Sequence, residues 1–147
     1  MDRGSSEGEL TLREAGPIDD GRIVTLYREM AAAHGDEMTE AETADKLRRM
    51  RRVPHRITLL CRDGETVGYA FWLDLGDHVF IRSFAIAEGE RSAGLGRLFF
   101  ERLVAEVFPD LGQIRLQAKG EGAKRFWTAV GFQSSAEAMR IELPETP

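Results

Sequence analysis

A chain of 147 residues, 42% hydrophobic and 31% charged, is long enough to bury one core and too short for two. That apolar fraction excludes a mainly disordered protein. Twenty Lys and Arg against 25 Asp and Glu leave a net charge of −5, which argues against a general binder of nucleic acid or of an anionic membrane surface.

Residues 1–8 form a polar tail without the apolar stretch of a signal peptide, and they are expected to be disordered. Residues 9–147 are expected to form a single domain. Glu9–Ala15 alternates Leu10 and Leu12 and predicts a first strand, stopped by Gly16-Pro17. From Ile18 to Ala33, Ile23, Leu26, Tyr27 and Met30 recur at helical spacing, with Asp19 and Asp20 near the positive end of the helix dipole. His34-Gly35 ends that helix. Thr39-Glu40-Ala41-Glu42 has the form of a capping box and opens a second helix to about Arg52, which Pro54 closes.

Arg56–Arg62 and Thr66–Leu75 are apolar runs joined by Asp63-Gly64, a strong hairpin signal. The first holds the sole cysteine, Cys61, which cannot form an internal disulfide and suits a reducing, cytoplasmic setting. In the second, Val67, Tyr69, Phe71, Leu73 and Leu75 are expected on one face, with Gly68 and Ala70 on the other. His78–Ala87 reads as a fourth strand, so the middle of the chain is an antiparallel meander. A glycine-containing loop, Glu88–Gly94, leads to a helix from Leu95 to Val107, striped by Leu98, Phe99 and Leu103. Ile114–Ala118 is a short strand and Gly120–Val130 a short helix with Gly131 beyond its end. Phe132–Ser134 and Ala138–Leu143 are the last strands. The order is β-α-α-β-β-β-α-β-α-β-β, an α+β arrangement with a mostly antiparallel sheet flanked by helices. No apolar stretch approaches the ~18 residues of a membrane span.

Chemistry concentrates in Ser83–Arg97, where a strand passes through a tight loop into a helix whose first turn is glycine-rich. The first N–H groups of a helix lack intrahelical partners and carry partial positive charge. Glycine there lets a phosphate approach the backbone without meeting a Cβ. Arg91 adds a full charge and Arg97, one turn on, a second. Two common phosphate motifs fail the test. Leu95-Gly96 stands where a P-loop requires Lys-Ser/Thr, and Phe99 stands where a dinucleotide fingerprint requires a small residue.

Arg91-Ser92-Ala93-Gly94-Leu95-Gly96, following Phe84-Ala85-Ile86, resembles the Arg/Gln-x-x-Gly-x-Gly/Ala signature of the GNAT superfamily of N-acetyltransferases. Ala123–Phe132 resembles that superfamily's second signature, an alanine and an aromatic helix turn ending in Gly-Phe, and the likeness runs from about Leu10 to Leu143. The resemblance implies acetyl-CoA as co-substrate, its diphosphate on the backbone of Ser92–Gly96 with Arg91 and Arg97 flanking. It implies a pantetheine arm paired with Phe84–Ile86, and a backbone N–H of Phe84 or Ile86 donating to the thioester oxygen. A primary amine of a small molecule or peptide would attack directly, with no acyl-enzyme, no metal, no nucleic acid and no membrane involved. A non-catalytic acyl-CoA-binding module is the alternative, and the oligomeric state stays open, a homodimer included.

Two positions depart from the pattern. Trp127 stands where the superfamily often has a tyrosine that protonates the leaving thiolate, and Gly120 stands where it often has an asparagine. Lys119 and Lys124 are candidates to reach a CoA phosphate, and Ser83 or Thr128 to replace the missing acid. His78 and Arg82, four apart on one predicted strand, are expected to share a face, with His78 as a candidate base and Arg82 as a binder of a substrate carboxylate. Trp72 is a candidate wall of the acceptor pocket. His34–Asp45 holds five carboxylates, Asp36, Glu37, Glu40, Glu42 and Asp45, in the segment that in the superfamily covers the acceptor. The three histidines are too scattered for a metal site.

Overall fold

The computed structural model describes residues 9–118, 120–134 and 139–142. The expected tail at 1–8, Lys119 and the flanks of the last strand lie outside them. The strands are β1 (Leu10–Glu14), β2 (Arg56–Arg62), β3 (Glu65–Asp74), β4 (Val79–Ile86), β5 (Gln113–Leu116), β6 (Gln133–Ser134) and β7 (Met139–Glu142). The α-helices are α1 (Asp20–Ala33), α2 (Glu40–Met50), α3 (Leu95–Glu106) and α4 (Gly120–Val130), with short 3-10 turns at Pro17–Asp19 and Glu88–Ala93.

One seven-stranded sheet runs β1-β2-β3-β4-β5-β7-β6. β4 and β5 are its parallel pair, while its other neighbours are antiparallel. A parallel pair needs a crossover, and α3 supplies it. The hairpin between β2 and β3 turns at Asp63 and Gly64, both at positive φ (53° and 84°), the geometry that Asp-Gly accommodates.

The two faces of the sheet take different helices. Tyr69 and Phe71 meet Ile23, Val24 and Tyr27 of α1 and Leu47 and Met50 of α2 around a void of only about 10 Å³. On the other face Phe84 stacks on Phe99 of α3 and meets Trp127 of α4 edge-on. β3 is therefore covered on both sides and buried from Thr66 to Trp72. Leu75, expected on one face of the strand with Val67, Tyr69, Phe71 and Leu73, lies beyond its end at Asp74 and is exposed in the turn.

Local capping follows the sequence. Thr39 Oγ1 accepts the Glu42 N–H at 3.0 Å and Glu42 accepts the Thr39 N–H at 2.9 Å, closing the capping box of α2. Asp19 is buried and accepts both the Arg13 guanidinium (2.7 and 3.1 Å) and the Gly16 N–H (2.8 Å), tying β1 to the entry of α1. These bonds, the Arg13 partner foremost, hold the Asp19 carboxyl below its ordinary range.

Candidate functional site

The parallel ladder between β4 and β5 runs from Val79/Ile114 to Ile81/Leu116. Beyond that point β4 continues to Ile86, while β5 ends and the chain turns into α4 at Gly120, φ +84°. The separation begins at a bulge: Phe71 faces Ser83 and Trp72 faces Ile81, so Arg82 is the extra residue on β4. A bulge adds local twist and bends its strand. The result is a wedge, open toward the carboxyl ends of both strands.

The direction of the β4 backbone in that wedge follows from alternation. The Ala87 N–H bonds the Val67 carbonyl of β3 at 2.8 Å. Groups two apart in an antiparallel ladder point the same way, so Ala85 and Ser83 also address β3. Phe84 and Ile86 address the opposite side, where β5 has left. These are the two residues whose N–H groups were expected to meet the thioester.

Past β4 the backbone of Glu88–Ala93 winds as a 3-10 turn and Gly94, φ +74°, caps α3. Of Arg91, Ser92 and Ala93 only the backbone is described. The Gly94 carbonyl receives the Leu98 N–H at 3.2 Å, which leaves the first-turn N–H groups of α3 with no intrahelical carbonyl to meet. A Cβ on Gly94 would meet nothing within 4 Å, so this side of the turn has room for a phosphate. Gly96 has another duty. A Cβ there would lie 3.0 Å from Phe126 Cζ, so the glycine lets α4 lie close against the start of α3.

Trp127 is buried among rings. Its centroid is 4.7–5.6 Å from those of Phe84, Phe100, Phe126 and Phe132. Arg97 bonds Glu101 (3.1 Å) and the Ala129 carbonyl (3.3 Å), toward the end of α4, and Lys124 is exposed on α4.

The candidates on the acceptor side separate. Trp72 is 1% exposed, and its indole N–H donates to Thr58 Oγ1 at 3.1 Å, so it is core and not a pocket wall. His78 precedes β4, at the end away from Phe84, and bonds Asp77 Oδ1 at 2.7 Å. That contact holds the Asp77 carboxyl below its ordinary range. The bulge at Arg82 interrupts the regular two-residue period between His78 and Arg82 on which their expected common face rested. Arg82 stays exposed at the lip of the wedge. Beside it Ser83 Oγ meets the hydroxyl of the fully buried Tyr69 at 2.9 Å, and burial pushes that phenol's pKa up. Cys61 is buried, with Sγ 3.8 Å from Thr66 Oγ1.

Sequence reasoning missed what the end of α1 does. Glu29 Oε1 accepts the Glu88 N–H at 3.1 Å, and a Cβ on Gly120 would come within 3.3 Å of His34 Nδ1. The helix thus reaches both the turn before α3 and the start of α4. Contacts this distant in sequence leave no local pattern to read. Of the five expected lid carboxylates, Asp36, Glu37, Glu42 and Asp45 line an open groove with Lys46 and Arg49. Glu42 is spent on the capping box, and Asp45 pairs with Arg48 (2.9 Å) and Arg49.

Residues 22–132 match the model of the acetyltransferase (GNAT) family. No curated protein sequence matches the chain. Among solved structures it is similar to an acetyltransferase from Thermus thermophilus, at 24% identity and a TM-score of 0.74, covering 91% of this chain and 97% of that one. It is also similar to the ribosomal-protein-S18-alanine N-acetyltransferase of Escherichia coli (15%, TM-score 0.71, 95% and 97%). A third similar structure is yncA of Salmonella typhimurium, solved with its cofactor acetyl-CoA (18%, TM-score 0.64, 93% and 95%).

Proposed function

The chain belongs to the GNAT family of acetyltransferases, and from that premise we propose that it transfers the acetyl group of acetyl-CoA to a primary amine of a small molecule or peptide. The observation that carries this reading is the wedge: an outward-facing β4 backbone at Phe84 that leads straight into a glycine-capped helix start. The diphosphate lies on the N–H groups of Ser92–Gly96, with Arg91 and Lys124 supplying charge. The pantetheine arm pairs with the edge of β4, and the Phe84 N–H donates to the thioester oxygen as it gains charge in the tetrahedral state. A neutral amine held on the α1/α2 side attacks the carbonyl carbon, the C–S bond breaks as CoA thiolate leaves, and the proton lost by nitrogen passes through water to that thiolate, leaving the amide and CoA thiol. Binding both partners in one wedge supplies much of the rate through proximity. Arg82, exposed at the lip, meets an anionic group on the acceptor.

The test is thiol release from acetyl-CoA across a panel of amines, with product mass measured. Amine-dependent release supports the reading. CoA binding without turnover on any amine favours a non-catalytic acyl-CoA-binding module. One observation favours that second reading: Trp127 packs on Phe84, and an indole N–H has no useful acidity for a leaving thiolate.

A further inference from the structure

The turn that feeds α3 divides into two halves. In the first, three N–H groups are spent on protein: Ala87 on Val67 O (2.8 Å), Glu88 on Glu29 Oε1 (3.1 Å) and Glu90 on Ala87 O (2.9 Å). A side-chain brace joins them, Arg62 Nη2 to Glu90 Oε1 at 3.0 Å, both groups half-buried. The second half, Gly94 onward, is where the orphan donors of the helix start stand. Two anchors from distant elements, α1 and β2, therefore grip the first half of the turn.

The chemistry of these anchors is unexpected for an anion site. Glu88 and Glu90 lie in the turn before Gly94 and Glu29 is bonded to it, so three carboxylates stand near the place where a diphosphate would lie. Their charge alone would repel CoA. We infer that Glu29 and Glu90 are positioning residues, which hold the turn in the shape that receives the CoA diphosphate, Glu29 through the Glu88 N–H and Glu90 through the Arg62 guanidinium. The inference rests on the reading of Ser92–Gly96 as the diphosphate site. A turn that spends part of its time in other shapes binds with an affinity reduced by the fraction competent, so releasing an anchor weakens binding without touching the chemistry.

Charge and bracing predict opposite signs. Glu29→Gln keeps an oxygen for the Glu88 N–H and removes a negative charge, so CoA binds it as tightly as the wild type or more tightly. Glu29→Ala removes the anchor as well, and its Kd for CoA by calorimetry rises about fivefold, the order expected for one lost charge-assisted bond at a partly solvated site. Glu90→Ala behaves like Glu29→Ala. In steady state both alanine variants raise KM for acetyl-CoA and leave kcat at saturating acetyl-CoA unchanged, whereas general destabilisation lowers kcat through the active fraction. Equal Kd values for Glu29→Ala and Glu29→Gln overturn the bracing role while leaving the diphosphate site intact. Failure of the wild type to bind CoA overturns both.

Discussion

The indole of Trp127 stands edge-on to the ring of Phe84, with centroids 4.9 Å apart at 70°. One residue thus lies in the second motif of the chain and the other at the mouth of the wedge. Their contact couples α4 to β4 beside the wedge. Three more rings enclose the indole, so its position is set by packing on every side.

Replacing Trp127 by Tyr tests what that position lacks. The phenol is smaller, and the void it leaves costs about 1–2 kcal/mol of stability, below the range for complete truncation. A phenol can protonate a thiolate, so turnover at saturating substrates stays level or rises. Urea unfolding together with thiol-release kinetics checks both halves. A large fall in kcat with stability in the expected range means that the indole itself contacts cofactor or acceptor.

Gly94 and Gly96 belong to one motif and separate experimentally. Gly94→Glu puts a carboxylate on the open side of a positive-φ residue, against both the phosphates and the backbone preference. Combined with Arg91→Ala it should weaken CoA binding strongly by calorimetry. Gly96→Ala pushes a methyl onto Phe126, which is itself held against Phe84 and Trp127. That overpacking costs about 1–3 kcal/mol, read as a lower unfolding midpoint. Unchanged CoA affinity in the Gly94 variant removes the diphosphate from this turn.

Elements set by local chemistry were legible in the sequence. Asp63-Gly64 dictated its hairpin, Thr39 and Glu42 their capping box, and the β-α-α-β-β-β-α-β-α-β-β order followed from periodicity and turn residues. The bulge at Arg82 was not legible, because it arises from how β3 and β4 pair and not from either strand alone. Gly96 looked like a phosphate contact beside Gly94, yet only the approach of Phe126 from a helix thirty residues on shows its use. Glu29 was invisible for the same reason: its partner, the Glu88 N–H, lies 59 residues away.

Arg82→Ala addresses the acceptor. The guanidinium is exposed at the wedge lip, away from the turn before α3, so its loss leaves the Kd for CoA unchanged. If it meets an anionic group on the acceptor, KM for amines that carry a carboxylate rises about tenfold, the worth of one charge-assisted bond. KM for simple alkylamines stays level. The ratio of the two KM values in wild type and variant is the measurement, and an equal effect on both classes removes the acceptor role.

Asp19 gives a stability signal in acid. Its side chain is 9% exposed and accepts from Arg13 and from the Gly16 N–H, and its carboxyl lies below the ordinary value of 3.8. The unfolded chain therefore takes up a proton at this site more readily than the folded one. Stability from the pair is present in full above the unfolded value and is lost as pH falls through the folded one. Arg13 is half exposed, and solvent screening holds the pH-dependent part to roughly 1 kcal/mol. Asp19→Asn removes the charge but keeps one acceptor oxygen, so it costs about 1–2 kcal/mol at neutral pH. The difference between variant and wild type then narrows in acid, as the wild-type carboxyl also becomes neutral. Urea midpoints of both proteins from neutral pH down to the carboxylate range measure this convergence, and a difference that stays constant across that range means that Asp19 acts through packing and not through its charge.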